Sequence, residues 1–197
     1  MNDNFTKLLQ NSSQEEIIKV LEDKLKNSEE PDFWKEKIIP FTEAILSVLL
    51  PLKEQNILFN PEGQIVNTID SELFFRWSDL VCLKTLAFII QESNEKNTLV
   101  RTDYNNVKYS YIDLEKLGTY LSSNRVNIID EDSLDFPMSI YNLNQGMVTI
   151  IKKILKELYG KDKKIRLFLS HTKRDDFGKE NSKLLKDLIQ VYHKVDV

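Results

Sequence analysis

Glycine is scarce in this chain of 197 residues: there are five, where average usage of ~7% would give roughly fourteen. Glycine-rich phosphate loops and turn-dense β-sandwiches therefore start at a disadvantage. The sole cysteine, Cys82, excludes an internal disulfide framework and any multi-cysteine zinc site. The two histidines, His171 and His193, are 22 positions apart, a poor basis for a histidine-rich metal site. Long hydrophobic runs are missing too. The most apolar stretch, residues 38–52, contains Thr42, Glu43, Ser47 and two prolines and is shorter than the ~20 residues a membrane span needs. Residues 1–7 are polar, with no apolar core of a secretory signal, so the expected location is the cytoplasm. Nowhere does G-x-x-x-x-G-K-[ST] occur. Gly160-Lys161-Asp162 and Gly178-Lys179-Glu180 both fail at the hydroxyl position, which excludes a nucleotide-hydrolysing P-loop.

What is present is an ordinary globular mixture, 41% hydrophobic, 29% charged and 10% aromatic, enough for one core or two small ones. The net charge of −4 is unevenly spread. Residues 1–160 carry 17 Lys and Arg against 25 Asp and Glu, whereas residues 161–197 carry ten against six. That asymmetry points to two units with different surfaces. An acidic body of this size argues against broad nucleic-acid binding, which needs a basic footprint.

The first helix expected from the pattern opens at Ser13, where Ser13 and Glu16 have capping-box spacing. Ile17, Ile18, Leu21 and Leu25 then share one face. A second helix follows Pro31, which suits a first turn, and presents Phe33, Trp34, Ile38, Phe41, Ile45, Val48, Leu49 and Leu52. Pro40 is expected to kink or divide it by removing a backbone hydrogen bond. Residues 57–67 read as a hairpin turning at Asn60-Pro61-Glu62-Gly63. A third helix is expected over 70–91, apolar over most of its girth and hence central. A second hairpin is expected over 99–112, turning at Asn105-Asn106, and then a short helix through Leu121 capped by Asp113. Residues 122–143 read as irregular. A helix over 144–159 should turn Val148, Ile151, Ile154, Leu155 and Leu158 inward, with Gly160 as its C-cap.

Most chemistry-bearing residues have a structural reading. Cys82 sits between Val81 and Leu83 and reads as core packing, since a nucleophilic thiol wants an electropositive, partly exposed setting. His193 near a helix end suits the dipole there. Phe33-Trp34 and Phe74-Phe75-Trp77 lie at helical spacing, so most of them read as core. Asp130, Glu131, Asp132 and Asp135 offer oxygen ligands but lack calcium-loop spacing, so no metal centre is expected.

Residues 165–197, IRLFLSHTKRDDFGKENSKLLKDLIQVYHKVDV, are the informative segment. An apolar β-run, a polar loop and an amphipathic helix occur in that order. Loops at the carboxyl end of a buried parallel strand are where open α/β sheets bind ligands. Ser170, His171, Lys173, Arg174 and Asp175 crowd that loop and are the candidate ligand-binding residues. The segment resembles the opening of a TIR domain, whose first strand ends in a pattern similar to F-[IL]-S-[HY]-x-x-x-D. Phe168, Leu169, Ser170, His171 and Asp175 occupy those positions. The resemblance implies a flavodoxin-like sheet and, by analogy with bacterial members, cleavage or remodelling of NAD in antiphage defence. It covers about a sixth of the chain. The family's catalytic glutamate and BB loop have no counterpart here, so NAD is expected as a substrate only of a completed TIR domain, with no cofactor held by this chain.

A second likeness lies earlier. SSQEEIIKVL followed by DFWKEKIIPFTEAILSVLLPL is similar to the all-α domain of type IV secretion coupling ATPases, which selects substrates for conjugation or effector export. The expected fold class is thus mainly α with two small β-hairpins over 1–160, followed by a short βαβ-like α/β segment of flavodoxin/TIR type. The expected role is a recognition or oligomerisation module with a protein partner or a second copy. The alternatives are a substrate-recruitment domain of a type IV secretion coupling protein and a structural adaptor without a ligand.

Overall fold

The computed structural model describes residues 3–100, 108–128 and 136–156. They form a mainly helical unit: α1 (Asn4–Asn11), α2 (Gln14–Lys26), α3 (Asp32–Glu54), α4 (Ser71–Trp77), α5 (Leu80–Lys96), α6 (Glu115–Ser123) and α7 (Met138–Ile154). None of these helices is long and apolar enough to cross a membrane.

Helix α2 starts as its sequence dictates. Ser13 Oγ accepts from the Glu16 amide at 3.3 Å while Glu16 Oε2 accepts from the Ser13 amide at 2.8 Å, so two orphan donors are satisfied reciprocally. Ile17, Ile18, Leu21 and Leu25 are buried against α3. A short helix not expected from the sequence, α1, precedes α2 and buries Phe5 and Leu9. Asp3 caps it, accepting from the Thr6 amide at 2.6 Å and from the Ser71 hydroxyl at 2.7 Å. Thr6 Oγ1 in turn accepts from the Ser71 amide at 3.0 Å, so α1 and α4 share their caps.

Helix α3 is the spine and packs against α2, α6 and α7. Nine of its side chains are buried, including Ile38, Phe41, Ile45, Val48, Leu49 and Leu52. Pro40 does not divide it. Each proline removes one backbone bond, at Pro40 and Pro51, while three neighbouring helices hold the cylinder along its other faces.

Residues 57–67 do turn back on themselves at Gly63, whose φ of 83° only glycine adopts without strain. Asn60 Oδ1 accepts from the Glu62 and Gln64 amides at 3.1 and 2.9 Å. The pairing amounts to one isolated antiparallel bridge, Phe59 with Ile65, and the described residues contain no strand. In the described part of the expected second hairpin, residues 99–100 and 108–112, no strand is present, and side chains clamp the backbone. Gln55 holds both backbone groups of Ser110, at 2.8 and 3.0 Å, and Asn94 holds both of Ile112, at 3.1 and 2.8 Å. Two amide side chains thereby supply the bonds that a partner strand would. The turn expected at Asn105-Asn106 lies outside the described residues.

The expected third helix is two. Asp79 ends the run by accepting from the Val81 and Cys82 amides at 3.0 and 3.4 Å, which makes it the N-cap of α5. The break is tied to α7: Asn144 Nδ2 donates to the Ser78 carbonyl at 3.1 Å, and Gln145 Nε2 to Asp79 Oδ2 at 2.9 Å. Helix α7 itself begins at Met138, six residues before the expected start at Asn144, with Pro137 as its N-cap. Residues 138–143, expected to be irregular, form its first turns directly after Pro137. Asp113 lies one residue before the α6 N-cap, Leu114, and still accepts from the Glu115 amide at 2.9 Å. Phe41, Phe74 and Trp77 are fully buried, whereas Phe33 is half exposed.

A candidate recognition groove

A groove of about 660 Å³ lies between α3, α6 and α7. One stripe of α3 forms a wall: Glu36, Pro40, Glu43 and Ser47 recur at helical spacing, with Lys37 beside them. The opposite wall is one stripe of α6, Lys116, Thr119, Tyr120 and Ser123. Leu143 and Met147, one turn apart on α7, supply apolar floor, and Gln14, Asp113, Glu115 and Asn124 close the ends. Lys116 reaches across to Glu43 at 3.5 Å. A smaller groove along α2, lined by Glu15, Lys19 and Glu22, shares Gln14, Glu43 and Lys116 with it.

Three of the groove's polar side chains each give a proton to the scaffold. Ser47 Oγ donates to the Ala44 carbonyl at 2.9 Å, Ser123 Oγ to the Thr119 carbonyl at 2.6 Å, and Asn124 Nδ2 to the Tyr120 carbonyl at 2.8 Å. Their oxygens retain free lone pairs. Tyr120 packs its ring on Phe41, centroids 5.3 Å apart. Burial pushes its hydroxyl up to about 12, with hydrogen bonding from Asn144 pulling the other way, so it stays protonated at neutral pH. The groove holds neither cysteine nor histidine. Its lining carries four carboxylates, two lysines and a set of hydroxyl and amide groups.

The residues expected from sequence fall elsewhere. Ser170, His171, Lys173, Arg174 and Asp175 lie outside the described residues, as do Asp130, Glu131, Asp132 and Asp135. Cys82 is half-buried on α5, and burial, followed by the nearby Asp79 charge, pushes its thiol above the usual range. Among the described residues no group of three or more His, Cys, Asp or Glu is placed to hold a metal ion. The groove was not anticipated, although a signal was available: Pro40 and Pro51, eleven residues apart, fall on the same side of one helix as Glu36 and Ser47. No protein-family model, curated protein or solved structure matches the chain.

Proposed function

We propose that this chain is the recognition or oligomerisation module of a TIR-domain protein of bacterial antiphage defence, working in the cytoplasm. The helical unit engages a protein partner or a second copy through the α3–α6–α7 groove. Residues 165–197 form the opening strand, loop and helix of the TIR unit, with Ser170, His171, Lys173, Arg174 and Asp175 beside the nucleotide. NAD-directed chemistry belongs to a completed TIR domain. The observation that carries this reading is the sequence Phe168-Leu169-Ser170-His171 with Asp175, on the carboxyl side of a helical unit. The groove, large enough for a ligand and lined by four carboxylates, supports a binding role for that unit.

The test uses a protein bearing this chain and a complete TIR domain. Filling the groove with Thr119→Trp, on an exposed position of α6, should abolish the NAD loss that follows phage challenge, while purified residues 1–197 should leave NAD intact. NAD loss unaffected by Thr119→Trp removes the groove from the reading, and NAD cleavage by the isolated chain removes the division of labour. An adjoining P-loop motor would instead favour the secretion-coupling reading, which rests on the Phe33-Trp34 helix.

A further inference from the structure

We propose that the groove between α3 and α6 takes a basic peptide segment of a protein partner and reads its lysine and arginine side chains through a row of oxygen acceptors. This deepens the recognition reading and rests on it.

The row follows from the two prolines of α3. A proline has no N–H, so Pro40 gives nothing to the carbonyl of Glu36, and Pro51 nothing to that of Ser47. Both Glu36 and Ser47 line the groove. Each of these two carbonyls lacks its i+4 donor, and because solvent-side carbonyls of a helix tilt outward, each offers an acceptor on the side of α3 whose residues line the groove. The Ser47 and Ser123 hydroxyls have each spent their one proton on a helix carbonyl, so toward a ligand they can act only as acceptors. Glu36, Glu43, Asp113 and Glu115 add negative charge against Lys37 and Lys116, and Lys116 already faces Glu43. With four carboxylates against two lysines the lining is net negative, which favours guanidinium and ammonium groups over anionic ligands.

Length argues for a peptide over a small polycation. From Glu36 to Ser47 the wall rises about 16 Å, at ~1.5 Å per helical residue, and it continues past Glu43 into the acidic groove along α2. That distance matches about five residues of extended chain. Leu143 and Met147 offer apolar floor for the aliphatic stems of lysine and arginine.

The probe is a fluorescein-labelled heptapeptide of alternating arginine and alanine, titrated with the full chain and followed by anisotropy. Saturable binding is expected, with none for the same peptide carrying glutamate in place of arginine. Pro40→Ala restores an N–H for the Glu36 carbonyl without changing charge, and should weaken binding about fivefold, the worth of one hydrogen bond. Glu43→Gln should weaken it by a similar factor. Glu95→Gln, the same charge change at an exposed position near the end of α5, should leave it within about twofold. Equal effects of Glu43→Gln and Glu95→Gln, or no effect of Pro40→Ala, would overturn the proposal, as would spermine displacing the peptide at matching affinity. Circular dichroism of each variant confirms folding. Should the peptide fail to bind while Thr119→Trp still blocks the NAD response, this inference falls and the recognition reading stands; failure of both removes the groove altogether.

Discussion

Replacing Trp77 by phenylalanine isolates one buried hydrogen bond from the bulk of an aromatic core. Trp77 is fully buried, its ring stands edge-on to Phe59 with centroids 5.5 Å apart, and its Nε1–H donates to the Phe59 carbonyl at 3.0 Å. The neighbouring bonds of the turn, from Asn60 to Gln64 and from Val66 to Leu58, bypass that carbonyl. Phenylalanine therefore leaves a buried acceptor without its tryptophan partner, at a cost of about 1–3 kcal/mol. The smaller ring also leaves a void, adding roughly 1 kcal/mol more by the cavity relation. A total near 2–4 kcal/mol is expected, a sizeable share of the ~5–15 kcal/mol that holds a domain folded. Trp77→Ala adds the whole ring to the loss, ~3–5 kcal/mol for truncation before the carbonyl is counted, so phenylalanine is the safer probe. Urea unfolding followed by far-ultraviolet circular dichroism measures the difference, and in the variant Trp34 remains as the one fluorescent tryptophan. A loss below about 1 kcal/mol at an unchanged urea slope would refute the reasoning, because the Phe59 carbonyl would then have found water or another donor.

Two glycines should respond in opposite directions to alanine. At Gly118, in α6, an added methyl meets nothing within 4 Å, so Gly118→Ala should stabilise by about 0.5–1 kcal/mol through helix propensity. At Gly146, in α7, the methyl would lie 2.5 Å from the Trp34 indole, and Gly146→Ala should destabilise by ~1 kcal/mol despite the same propensity gain; thermal melts of both decide it. Asp79→Ala removes the α5 cap and the link to Gln145, about 2 kcal/mol together, and a double-mutant cycle with Gln145→Ala should return a coupling of ~1 kcal/mol; a coupling of zero would mean the 2.9 Å contact is incidental. Tyr120 titrates at about 12 folded against about 10 unfolded, so its contribution is full below pH 10 and is lost as pH rises towards 12. Stability measured across that window should fall more steeply in the wild type than in Tyr120→Phe, and parallel curves would contradict the burial of the hydroxyl.

Local signals were legible wherever the physics was local. The Ser13–Glu16 capping box, the buried face of α2 and the turn at Asn60–Gly63 depend on residues within a few positions of one another, and each appears where its pattern places it. Signals failed where the deciding partner was remote. The run from Asp70 onward is apolar enough for one helix, yet Asp79 breaks it, because Gln145 and Asn144 of α7 bind the cap and the carbonyl that the break exposes. Residues 109–112 carry the alternation of a hairpin strand, and what they receive instead is Gln55 from the end of α3 and Asn94 from α5. Asn144 of α7 turns out to be fully buried, a placement no hydrophobic period foretells.

By itself the sequence determined the helical character, the α2 capping box and that helix's inward face, since a 3.6-residue period and a capping side chain act over one turn of chain. It also determined that the Glu36 and Ser47 carbonyls of α3 lack their i+4 donor, a consequence of proline's covalent structure alone. Only the tertiary structure decided that these carbonyls border a groove. That required α6 and α7, 70 to 110 residues further along, to pack beside α3 and leave the Glu36–Ser47 stripe uncovered. Packing between distant helices is set by the fit of whole faces, and no window of neighbouring residues contains both sides of that fit.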